Sequence, residues 1–174
     1  SSDTGPNELD LTIYGQTWSG LGTGPNGLGP ALWQDAYAGN QGDRAENAAT
    51  GAALDYLTSY TLTGWMRVES NQTGGRLVVL GGSSGDLLQL YLNDNYFLLQ
   101  SSRKGTTNQI SSSSASTFVG AGWIFVAITV DSTAASFADG VTYYLGSESS
   151  AASQLDNGSS VSGSVAGMAL GDVE

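Results

Sequence analysis

Over residues 60–68, and again over 123–131, apolar and polar side chains alternate with a period of two. Successive side chains of a β-strand point to opposite faces, so such alternation describes strands that cover a core on one side. The first run sets Tyr60, Leu62, Gly64, Met66 and Val68 on one face, with Thr61, Thr63, Trp65 and Arg67 on the other. In the second, Ile124, Val126, Ile128 and Val130 share a face. A third block, 86–93, separates Leu88, Leu90 and Leu92 from Gln89, Tyr91 and Asn93. All three are rich in β-branched and aromatic residues and are bounded by Gly, Ser, Asn or Asp. Their apolar sets are expected to meet in one core between two sheets.

The rest of the chain reads as shorter strands and turns, in keeping with 25 Gly, few helix-favouring charges and many Ser, Thr and Asn. Residues 9–14 alternate, and 31–35 offer a second short strand. Residues 43–55 hold a turn or short strand around Arg44, because Thr50-Gly51 argues against a long helix. A turn over 71–75 should lead into a strand at 76–80. Asn93-Asp94-Asn95 should close a hairpin into 96–100, since Asn and Asp tolerate left-handed backbone. Residues 140–146 make a further strand and 165–170 a weaker one. The serine-rich runs 111–116 and 147–153 read as polar loops. At 174 residues, 1–174 fits one domain that buries roughly two-thirds of its unfolded surface.

Composition excludes several functions. Without Cys there is neither a disulfide framework nor a thiolate metal site, and without His the commonest general base and transition-metal ligand are gone. A net charge of −11 supplies no basic patch for phosphates, so nucleic acid and anionic membranes are poor partners. No apolar run is long enough to span a bilayer, so no membrane insertion is expected. Charged residues are 12% of the chain, which leaves a surface of hydroxyls and amides suited to an extracellular β-protein.

The order and content of these segments resemble the laminin-G-like, concanavalin-A-like modules. One strand of those modules carries an aromatic-Thr-apolar-x-small-Trp-apolar pattern, matched by Tyr60-Thr61-Leu62-Thr63-Gly64-Trp65-Met66. A later one carries Trp-x-x-apolar-Ala-apolar-x-apolar-Asp, matched by Trp123 through Asp131. Val141-Thr142-Tyr143-Tyr144-Leu145-Gly146 is similar to the strand that follows, residues 3–15 to the opening acidic-Gly turn and strand, and Ala169-Leu170-Gly171 to the residues before the closing strand. The resemblance implies an all-β, two-sheet antiparallel jelly-roll sandwich. It also implies one further strand at each end, so the sheet is expected to be completed either by flanking residues of the same chain or by a complementing strand from another chain, with self-assembly through an open edge.

Catalysis is not expected. The laminarinase relatives carry Glu-x-Asp-x-x-Glu on one strand, and no two of Glu8, Glu46, Glu69, Glu148 and Glu174 fall at alternating positions in one expected strand. Ca²⁺ is the cofactor that the resemblance and the acid surplus admit, with Asp35, Asp94, Asn95, Asp131 and Asp139 as rim ligands. The plainer reading makes Asp94 and Asn95 turn formers and Asp131 a strand-end cap. A sugar needs an exposed ring to stack on and amides or carboxylates for its hydroxyls. Gln89, Tyr91 and Asn93 supply these on one strand face, and Trp33 with Tyr37 in a Gly-rich stretch is the rival site. Trp65 and Trp123 are read as core or sheet-covering residues, and of Tyr143 and Tyr144 only one is expected to be deeply buried. The sequons at Asn71 and Asn157 read as accidental, the latter as a turn. The expectation is a non-catalytic extracellular module that binds or adheres to neutral glycans. Its rivals are a structural subunit of a filament, sheath or surface layer, and an ancillary domain of a glycoside-processing enzyme.

Overall fold

The computed structural model describes residues 12–14, 22–25, 30–31, 44–46, 57–68, 73–81, 87–93, 96–103, 106–111 and 120–168. The chain divides into two compact units, Ser1–Ala53 and Leu54–Glu174. In the first, β1 (Thr12–Tyr14) pairs antiparallel with β4 (Arg44–Glu46), and β2 (Gly22–Thr23) pairs with β3 (Pro30–Ala31).

The second unit runs β5 (Ser59–Arg67), β6 (Thr73–Gly81), β7 (Leu87–Asn93), β8 (Tyr96–Arg103), β9 (Thr106–Ser111) and β10 (Trp123–Asp131). A one-turn helix α1 (Phe137–Gly140) follows, then β11 (Val141–Ser147), β12 (Ser150–Asn157), β13 (Ser159–Ser162) and a 3₁₀ turn at Val165–Met168. The strands form a four-stranded sheet, β12-β11-β10-β5, and a five-stranded sheet, β13-β9-β8-β7-β6, every pair antiparallel. Strands β6 to β9 pair as successive hairpins, whereas β5 crosses to β10. This is the antiparallel sandwich that the resemblance implied.

The two sheets meet where the period of two placed the apolar residues. Leu88 and Leu90 of β7 share one cluster with Ile124, Val126, Ile128 and Val130 of β10 and Val141 and Tyr143 of β11. Tyr60, Leu62 and Met66 of β5 pack against it from their partly buried positions. Each large side chain so enclosed contributes roughly 1.5–3 kcal/mol by leaving water. Phe137 of α1 and Val165 and Met168 of the 3₁₀ turn join the same cluster. There the Tyr60 hydroxyl donates to the Met168 carbonyl at 2.9 Å, and burial pushes its pKa well above the usual phenolic value.

Three segments differ from the sequence expectation. β6 starts at Thr73, within the expected turn, because a register shift between Thr73 and Gly75 absorbs the glycine pair as a bulge. Residues 147–153 are not a loop: Ser147–Ser150 is the tip of the β11–β12 hairpin, and β12 runs on to Asn157. The Ser147 hydroxyl lies 2.8 Å from that of Ser150 and accepts from the Ser149 amide at 3.2 Å, so serines close the tip. β12 ends the four-stranded order and buries little, so Ser and Ala suffice in it. The weaker strand expected over 165–170 is instead the 3₁₀ turn. Gly163 at φ +84° turns the chain, and three-residue spacing then directs both Val165 and Met168 inward. The hairpin after Asn93 is as expected, since pairing resumes at Asn93 with Tyr96.

Candidate functional site

Because β10 sits between β5 and β11, its outward residues lie in rows with those of both neighbours. Phe125 stands opposite Trp65, Ala127 between Thr63 and Tyr144, Thr129 between Thr61 and Thr142, and Asp131 opposite Ser59. Directly opposed residues share a face, so these rows make the outer surface of the four-stranded sheet. The burial pattern agrees: Ile124, Val126, Ile128 and Val130 are buried, whereas Trp123, Phe125, Ala127 and Thr129 are partly exposed. The Trp65 and Phe125 rings have centroids 5.4 Å apart at 60°, a tilted contact that adds about 0.5–1.5 kcal/mol beyond the area it covers. Tyr144 carries a third ring on this face, since Tyr143 next to it is fully buried.

β12 extends the face through a bulge. Tyr143 and Tyr144 are consecutive, yet their partners Asp156 and Gln154 are two residues apart, so Leu155 is an extra residue. Strict alternation would send residues 154 and 157 to opposite faces. The bulge returns them to the same one, opposite Tyr144 and Thr142, while Leu155 packs against the core. There the Gln154 amide donates to Asn157 Oδ1 at 2.7 Å. Two exposed amides, fixed relative to each other, thus flank a partly exposed ring.

At the far end of the rows the acids serve the fold. Asp131 Oδ1 accepts from the Thr133 hydroxyl at 2.6 Å, the Thr133 amide at 2.9 Å and the Ser59 hydroxyl at 3.5 Å. The Thr133 bonds hold its carboxyl below the usual carboxylate range, against a slight opposing desolvation. Ser136 caps α1 by accepting from the Asp139 amide at 3.3 Å, and its hydroxyl donates to Asp139 Oδ2 at 2.7 Å. Neither carboxylate has two acidic companions: no group of three or more His, Cys, Asp or Glu able to hold an ion occurs among the described residues. Asp131 and Asp139 alone do not fit a six- to eight-oxygen Ca²⁺ shell.

The other expected site residues are dispersed. Trp33, Asp35, Tyr37, Asp94 and Asn95 lie outside the described residues, as do the side chains of Tyr91 and Asn93 on β7. Gln89 is 3% exposed, so the open β7 face expected from the sequence is closed at this residue. β7 lies between β6 and β8, and such a strand is enclosed on both faces when both are covered. The sequence points to Trp65, on the outer face of the four-stranded sheet, only as a core or sheet-covering residue. The signal for that face was the threonine and aromatic set opposite each core set, but Gln154 and Asn157 lay in a segment with no strand pattern.

A family model described as the concanavalin A-like lectin/glucanases superfamily, of laminin G type, matches residues 40–168. Comparison with curated proteins and with solved structures finds no match.

Proposed function

Since the chain belongs to the concanavalin A-like lectin/glucanases superfamily, we propose that it is a lectin-like module that binds neutral glycans without cleaving them, outside the cell. The family match carries this reading. The absence of cleavage is supported by the sequence, where no two of the five Glu fall at alternating positions in one strand as the laminarinase relatives place theirs. Ca²⁺ at the sandwich rim is included as an accessory, supported by 16 acidic against 5 basic residues, and no binding step is assigned to it.

A structural subunit joined by strand exchange is the second reading. It is favoured by β5, a nine-residue strand at the end of its sheet order among the described residues. A glycan array probed with the purified protein, in Ca²⁺ and in EGTA, separates the two. Retention on neutral glycans without release of reducing ends is expected. Signal on no glycan, together with concentration-dependent polymers in light scattering, would overturn the first reading in favour of the second.

A further inference from the structure

We propose that the outer face of the four-stranded sheet, from Trp65 and Phe125 across to Tyr144 and the Gln154–Asn157 amide pair, holds a stretch of neutral polysaccharide chain. This rests on the reading of the protein as a glycan-binding module and adds where the glycan lies and of what kind it is.

Three observations point to this occupant. Rings and amides stand side by side. Trp65, Phe125 and Tyr144 are partly exposed on one sheet face, as an apolar pyranose face needs for stacking, and Gln154 and Asn157 stand in the rows of Tyr144 and Thr142. In their mutual hydrogen bond one amide spends a donor and the other an acceptor, leaving further donors and acceptors on each for sugar hydroxyls. The bond also fixes their orientation before a ligand arrives, which lowers the entropy lost on binding.

Charge is the second. The chain carries −11, yet between Arg67 at one end of the rows and Asp131 at the other the face holds, among the described residues, Thr61, Thr63, Ala127, Thr129 and Thr142 and no charged residue. An uncharged strip on a strongly acidic molecule matches an uncharged polymer, whereas the field of the whole chain repels uronic or sulfated ones.

Length is the third. Tyr144 lies one row along and two strands across from Trp65, about 12 Å at backbone spacing, farther than a single sugar ring reaches. A chain spanning both rings gains from each contact, so oligosaccharides should bind better than their monosaccharides.

Affinity electrophoresis through gels of cellulose derivative, xylan, mannan and β-1,3-glucan, with alginate and pectate as anionic controls, tests the proposal. The wild type is expected to be retarded by at least one neutral gel and by neither anionic one. Trp65→Ala, Tyr144→Ala and Gln154→Ala should each weaken that retardation, the ring deletions by roughly tenfold or more in Kd, while Ser149→Ala at the hairpin tip should not. Gln154 is exposed on the end strand, so its variant remains informative if Trp65→Ala fails to fold. Wild-type retardation that all three face variants keep, or that Trp33→Ala alone removes, overturns the location and leaves the glycan-binding reading standing. No retardation in any gel overturns both. Loss of self-association, rather than of glycan binding, in the face variants would make this surface an interface between copies and overturn the proposal.

Discussion

Tyr60 shows how one side chain can tie distant parts of the fold together. Its ring packs against the core and its hydroxyl reaches the Met168 carbonyl, 108 residues away in sequence. Tyr60→Phe keeps the ring and strands that carbonyl, so urea unfolding should show a loss of about 1 kcal/mol. Tyr60 also has a raised folded-state pKa, so its contribution is complete below the unfolded phenol value and is lost as pH rises through the folded one. Wild-type stability should therefore decline above pH ~10 more steeply than that of Tyr60→Phe. Asp131 gives the opposite sign. Its carboxyl is depressed by Thr133, so its contribution is present above the ordinary Asp value and disappears as pH falls through the lower folded value. Melting curves of wild type and Asp131→Asn should differ at neutral pH and converge as pH falls through the lowered folded value.

At the scale of elements, two glycines on the four-stranded sheet and its flanking helix should answer a methyl group in opposite ways. A Cβ on Gly140, the last residue of α1, would stand 2.5 Å from the Asp131 carbonyl and 2.6 Å from Val165 Cγ2. Gly140→Ala must push α1 off β10, which should lower stability by about 1–3 kcal/mol in thermal melts. A Cβ on Gly64 of β5 meets nothing within 4 Å, so Gly64→Ala should be neutral or add roughly 0.4–1 kcal/mol by restricting the unfolded chain. β5, β7 and β10 were legible in the sequence because one face of each is apolar at every second residue. β12 was not, because an exposed end strand held by backbone pairing to β11 needs no apolar alternation. The candidate face divides the same way. Trp65, Phe125 and Tyr144 follow from parity, whereas Gln154 and Asn157 come together through a bulge that parity does not contain.

For the molecule as a whole, the two sheets differ in how far apart in sequence their partners lie. β6 to β9 join through successive hairpins, while the paired residues Ser59 and Asp131 of β5 and β10 stand 72 apart. Long-range strand pairing is slow because loop closure must precede the contacts that reward it. Stopped-flow refolding should accordingly fall in the millisecond-to-second range of all-β sandwiches, and a single microsecond phase would contradict the pairing of β5 with β10. On a ribosome the same arrangement becomes an order of events. The β6–β9 meander can form as it emerges, with Leu88 and Leu90 uncovered, while β5 waits for a partner not yet synthesised. The surface proposed to hold a glycan comes into being only when β10, β11 and β12 have joined β5, so it cannot form until Asn157, 98 residues after the start of β5 at Ser59, has emerged.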